Sequence, residues 1–96
     1  MRRSKAEQLG RIVRQFMRQE GLESPYNEYK LMNSWEEIMG QGIARFTGDK
    51  FIKNQTLFIK INSSIVKNEL MMSRQQIVRK LNEKVGSQVI TDIKFV

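Results

Sequence analysis

The stretch Thr56–Val85, TLFIKINSSIVKNELMMSRQQIVRKLNEKV, changes its apolar period halfway along. Leu57, Ile59 and Ile61 alternate with Phe58, Lys60 and Asn62, the two-residue period of a half-buried strand. Beyond Ser63-Ser64, Val66, Leu70, Ile77 and Leu81 recur on one face of a helix, with Val78 and Val85 on its border. Serine is a preferred N-cap, because its hydroxyl accepts from an orphan N–H of the first turn. The spacing therefore predicts a strand feeding directly into one helix of roughly 20 residues, about 30 Å long. Gly86 is its expected stop. Whatever else the chain builds must pack against this unit.

The residues before it suggest two helices and a hairpin. Ser4 to Glu20 reads as a helix stopped by Gly21, with an apolar stripe of Leu9, Ile12, Val13, Phe16 and Met17. Arg11, Arg14 and Arg18 line its other side. Three readings fit: an amphipathic helix docked on the core with a solvated basic face, an arginine row that meets phosphate, or an interfacial membrane helix. Ser24-Pro25 starts a second helix, since proline at the first position loses no needed N–H. This helix carries Tyr26, Tyr29, Trp35, Ile38, Met39, Ile43 and Phe46, and Glu28, Glu36 and Glu37 make it the acidic element. Trp35 is expected as a core anchor rather than a base-stacking platform. Gly40 and Gly42 fall inside it at about 1 kcal/mol each, so a kink or a close backbone contact is expected there.

Gly48 and Asp49 end that helix. Lys50 to Lys53 then forms a short strand, Asn54-Gln55 a tight turn, and Thr56 to Asn62 the antiparallel partner. Arg74 falls beside the apolar stripe of the long helix, where a snorkelling stem accounts for it. Gln88 to Val96 reads as a last strand, with Val89, Ile93 and Phe95 on one face and Asp92 and Lys94 on the other. A helical return to the same sheet implies that this strand runs parallel to Thr56–Asn62. The expected fold is α+β in the order α-α-β-β-α-β: one domain over residues 1–96, residues 1–4 a flexible basic N-terminus. Helices cover one face of a three-stranded sheet and leave the other open, decorated by Phe58, Lys60 and Lys94.

The chain holds neither cysteine nor histidine, which removes thiolate nucleophiles, imidazole bases, disulfides and the usual zinc ligands together. Its carboxylates are scattered over helix surfaces, and Glu36 and Glu37 are neighbours pointing about 100° apart. No phosphate-cradling glycine loop is present. The sequence reads as a binding module and not an enzyme, with no cofactor and no small-molecule substrate. No apolar run approaches the ~18 residues of a membrane span, and no secretory signal is evident, so a cytoplasmic protein without a membrane partner is expected. The net charge is +7. It is laid out as +4 over residues 1–20, −2 over 21–48 and +5 over 49–96. Such an excess attracts polyanions.

A set of local patterns stands in a fixed order along the chain. Trp35-Glu36-Glu37-Ile38-Met39-Gly40 is a W-x-x-x-x-G pattern, followed by Ile43-Ala44-Arg45-Phe46-Thr47 and by Thr56-Leu57-Phe58-Ile59 with Ser63-Ser64. Glu69-Leu70, Lys80-Leu81-Asn82 and Ile93-Lys94-Phe95 complete it. In that order and spacing the chain, from about residue 5 to 96, resembles the DciA family, long catalogued as a bacterial domain of unknown function. The resemblance implies a K-homology-like α+β domain in bacterial proteins that bind DNA and assist loading of the replicative helicase. Better-studied members carry a long flexible tail implicated in helicase contact. The sequence ends at Val96, so a helicase-loading role is expected only if the domain itself holds the contact. K-homology domains grip single strands through a G-x-x-G loop, which this sequence lacks. Basic side chains reading backbone phosphate are the expected route instead.

The candidate phosphate contacts are Arg2, Arg3, Arg11, Arg14 and Arg18 on the first helix and Lys53 and Lys60 on the hairpin, with Lys80 and Lys84 on the long helix as second choices. The expected partners are nucleic acid, DNA favoured over RNA, and the replicative helicase. Two alternatives stand beside this reading: a module docking an acidic protein surface without nucleic acid, and an RNA-binding domain.

Overall fold

The computed structural model describes residues 8–13, 15 and 23–96. Residues 8–13 are helical, followed by α1 (Glu23–Met39), α2 (Gln41–Ala44), β1 (Thr47–Lys53), β2 (Thr56–Ile61), α3 (Ser64–Met72), α4 (Arg74–Val85) and β3 (Asp92–Phe95). The sheet has the order β1-β2-β3, with β1 antiparallel and β3 parallel to β2. This is the α+β fold and element order expected from the sequence, with two helices divided.

The apolar sides of β2 and β3 face the helices. Leu57, Ile59 and Ile61 of β2 and Ile93 and Phe95 of β3 are buried with Leu31 and Trp35 of α1, Leu70 of α3, Ile77, Val78 and Leu81 of α4, and Ile90. Each fully buried side chain of this size contributes roughly 1.5–3 kcal/mol over an exposed one. Trp35 is thus a core anchor, as expected. Tyr26 and Tyr29, counted among the apolar residues of that helix, lie exposed, and Leu31 takes the inward position. The long C-terminal strand is shorter than its pattern: only Asp92–Phe95 is strand, and Ile90 reaches the core from the preceding loop.

The helix expected over Ser64–Val85 breaks at Ser73. Its N-terminus is capped as the sequence indicates, the Ser63 hydroxyl accepting from the Val66 N–H at 3.3 Å. At Ser73 the backbone moves to φ −106°, ψ 15°, and its N–H donates to Leu70 O at 3.1 Å in a tightened turn before α4 begins. The break serves packing. α3 lies on β2, whereas α4 packs on α1 and β3, and a straight rod could not meet both sets of partners. It also leaves Met71 and Met72 exposed. Gly86 ends α4 in the left-handed region at φ 84°, as expected.

The second expected helix likewise divides, at Gly40. Its φ of +80° is a conformation that side-chain-bearing residues rarely adopt, and a Cβ there would meet nothing within 4 Å. The glycine is therefore needed for direction and not for close approach. Gly48 is the opposite case. It sits in β1, not at a helix end, and a Cβ would lie 3.3 Å from the Lys60 Cβ and Cγ.

Candidate nucleic-acid interface

The hairpin turn fixes which side chains share the uncovered face of the sheet. Asn54 and Gln55 both take positive φ, 52° and 61°, the two-residue turn whose twist matches paired strands. The register that follows pairs Lys53 with Thr56, Ile52 with Leu57 and Phe51 with Phe58. Directly opposed residues point to the same face, so Phe51 and Lys53 stand on the side away from Leu57 and the helices. On the other flank, Phe58 is paired with Lys94 and Thr56 with Asp92. Leu57, Ile59 and Ile61 face the core while Phe58 and Lys60 face outward, as the alternation predicted.

Three side chains form a row across this face. The Phe51 and Phe58 rings are stacked, centroids 4.8 Å apart and 9° from parallel. The Lys94 ammonium lies 5.8 Å from the Phe58 centroid, a cation–π contact. Lys60 and Lys53 are exposed on the same face, one on either side of the row along the strands. The strand carboxylates are Asp49, exposed in the irregular part of β1, and Asp92, which pairs with Arg74 at 3.2 Å and accepts from the Ile93 N–H at 2.8 Å. The Arg74 side chain thus has an ion-pair partner, where the sequence suggested only a snorkelling stem.

The remaining candidates do not gather here. Arg2, Arg3, Arg14 and Arg18 lie outside the described residues, and Arg11 is exposed on the helical segment 8–13. Leu9, Ile12 and Val13 of that segment are 63%, 60% and 47% exposed, so this part of the stripe is not docked on the core, against the first of the three readings of the helix. Lys80 and Lys84 belong to α4, in the helical layer behind the sheet. Lys84 is engaged besides, its Nζ 2.9 Å from Glu37 Oε1 on α1. The open face thus brings together Lys53 and Lys60 and adds Lys94, Phe51 and Phe58, none of which was among the candidate contacts. The signal for Phe51 was present: a two-residue turn at 54–55 sets residue 51 opposite residue 58.

A shallow pocket of about 220 Å³ opens beside the α1–α2 break, lined by Trp35, Glu36, Gln41, Ala44, Arg45, Thr47 and Lys50. The buried Trp35 Nε1 makes no hydrogen bond among the described residues. No group of acidic side chains suited to a metal ion occurs among the described residues, and no helix among them is long and apolar enough to cross a membrane.

Residues 8–95 match the family model described as "Dna[CI] antecedent, DciA". Among curated proteins, a UPF0232 protein of Corynebacterium glutamicum (strain R) is 32% identical over 90 residues, covering 94% of this chain and 51% of the relative. A UPF0232 protein of Mycolicibacterium paratuberculosis (strain ATCC BAA-968 / K-10) is 25% identical over 87 residues, covering 91% and 48%. The chain spans about half the length of these relatives. No solved structure matches it.

Proposed function

Because the chain belongs to the DciA family, we propose that it is a nucleic-acid-binding accessory module of bacterial replication, acting beside the replicative helicase. DNA is the favoured ligand, held through its phosphates on the open sheet face. The observation that carries this reading is the Lys94–Phe58–Phe51 row with Lys53 and Lys60 on either side. Cations on a firm strand scaffold neutralise phosphates and release condensed counterions, so binding weakens steeply with salt. Arg74 supports the arrangement by holding the Asp92 carboxylate that would otherwise repel the backbone. Arg11, exposed on the helical segment 8–13, and Arg2, Arg3, Arg14 and Arg18 remain part of the proposal as further phosphate contacts in addition to this row.

Fluorescence anisotropy with labelled DNA over a salt series tests the reading. Two to four engaged phosphates give a log K against log salt slope of about −1.5 to −3 on single strands. A flat response, or no binding at low salt, overturns it.

The exposed Leu9, Ile12 and Val13 favour a protein contact as well, since a contiguous apolar stripe left in water is a common docking element. This is the surface we assign to the helicase. Capture by purified helicase after nuclease treatment, lost in a Leu9→Ser/Ile12→Ser/Val13→Ser variant, is the expected result. Unchanged capture by the variant removes this assignment, and nuclease-resistant capture without any DNA binding leaves a pure protein-docking module.

A further inference from the structure

The aromatic row on the open sheet is a stack with one unfinished end. Phe58 stands between Phe51 and the Lys94 ammonium, so both faces of its ring are occupied. Phe51 has Phe58 stacked against one face, and β1 is the edge strand of the sheet among the described residues. It is 54% exposed and takes no part in the buried core. A flat apolar ring is thereby held by a parallel partner, with its outer face turned to water.

We propose that the outer face of Phe51 seats one unpaired nucleobase, which makes the open sheet a reader of single strands. The proposal rests on the nucleic-acid reading above and adds the strand state to it. A base laid on Phe51 extends the Lys94–Phe58–Phe51 stack by one ring. Offset-parallel stacking of this kind tolerates any base, because every base presents a π face. A duplex cannot supply one, since its bases are already stacked on one another. The flanking cations suit the same ligand. Lys53 is two residues from Phe51 along β1, roughly 7 Å at strand rise, and Lys60 lies on the opposite side of the aromatic row. A strand crossing the face would therefore meet a lysine before and after the stacked base. Gly48 leaves room for the Lys60 stem, whose Cβ and Cγ would lie 3.3 Å from a Cβ at that position.

A cross-strand aromatic pair also steadies a hairpin by itself, so the experiment must read the bases and not the fold. The full chain is titrated at one salt concentration against oligothymidine of about eight nucleotides, an abasic chain of equal length, and a duplex of equal length. The wild type should prefer oligothymidine over the other two by about fivefold or more, as one stacked base predicts. Phe51→Leu, which keeps an apolar side chain but removes the ring, should bring that preference close to one. Phe51→Trp should retain or raise it. Equal wild-type binding to thymidine and abasic chains, tighter binding to duplex, or an undiminished preference in Phe51→Leu overturns the proposal. Should Phe51→Leu shift the unfolding midpoint, Phe51→Trp decides alone: loss of preference with the larger ring overturns it. Failure of the wild type to bind all three at low salt overturns the phosphate reading itself, a result distinguishable from each of these.

Discussion

The Asn82 side chain satisfies both polar ends of Ile90. Its Nδ2 donates to the Ile90 carbonyl at 2.8 Å, and its Oδ1 accepts from the Ile90 N–H at 3.1 Å and from the Val89 N–H at 2.9 Å. The loop after α4 has no ladder of its own until Asp92, yet it must place Ile90 in the core with no exposed surface. An amide on the last turns of α4 supplies the missing partners.

Asn82→Ala should therefore destabilise the fold by about 2–4 kcal/mol, because three hydrogen bonds go and backbone groups near the core are left without partners. Asn82→Asp keeps the two acceptor contacts and loses the donor, so it should fall between wild type and alanine. Urea unfolding followed by circular dichroism gives the order; a change below about 0.5 kcal/mol for alanine refutes the clamp.

The hairpin turn makes the opposite kind of prediction. Gln55 sits at φ 61° without the local side-chain hydrogen bonding that lets asparagine tolerate this region. Replacing it by glycine relieves that conformation at some entropic cost, for a net gain of about 0.5–1 kcal/mol. The Tm should rise by several degrees. A fall would mean that the turn is not the two-residue form described.

Among the lysines, position relative to the sheet decides the outcome. Lys60→Ala with Lys94→Ala should flatten the single-strand salt slope by about 1.5, one phosphate for each residue. Lys80→Ala should leave binding unchanged, since α4 lies behind the sheet. Lys84→Ala should also leave it unchanged and cost under about 1 kcal/mol of stability, as its pair with Glu37 is solvent-exposed. Loss of binding in the α4 variants with no loss in the sheet variants would move the interface to the helical layer.

Trp35 and Leu31 are both fully buried, but their truncations should differ in kind. Leu31→Ala opens a cavity at about 2–5 kcal/mol. Trp35→Phe loses ring area but also removes a buried N–H that has no partner among the described residues, so the two effects offset in part. Its cost should be the smaller of the two, measured by the same denaturation series.

The sequence determined the pieces whose cause is local. The switch of period at Ser63, the αL stop at Gly86 and the alternation of Leu57, Ile59 and Ile61 each follow from residues within a turn or two, and each stands in the structure. What depended on distant partners was not legible in the same way. The break at Ser73 has no strong local signal and arises because α3 and α4 pack on different elements. The exposure of Leu9, Ile12 and Val13 could not be read from a stripe that looks like any docked helix. The candidate interface shows the same division. Spacing alone put Phe58 and Lys60 on the outward side of a strand. Only the pairing of three strands brought Phe51, Phe58 and Lys94 into one row, because the rings and the ammonium are neighbours across the sheet and not along the chain.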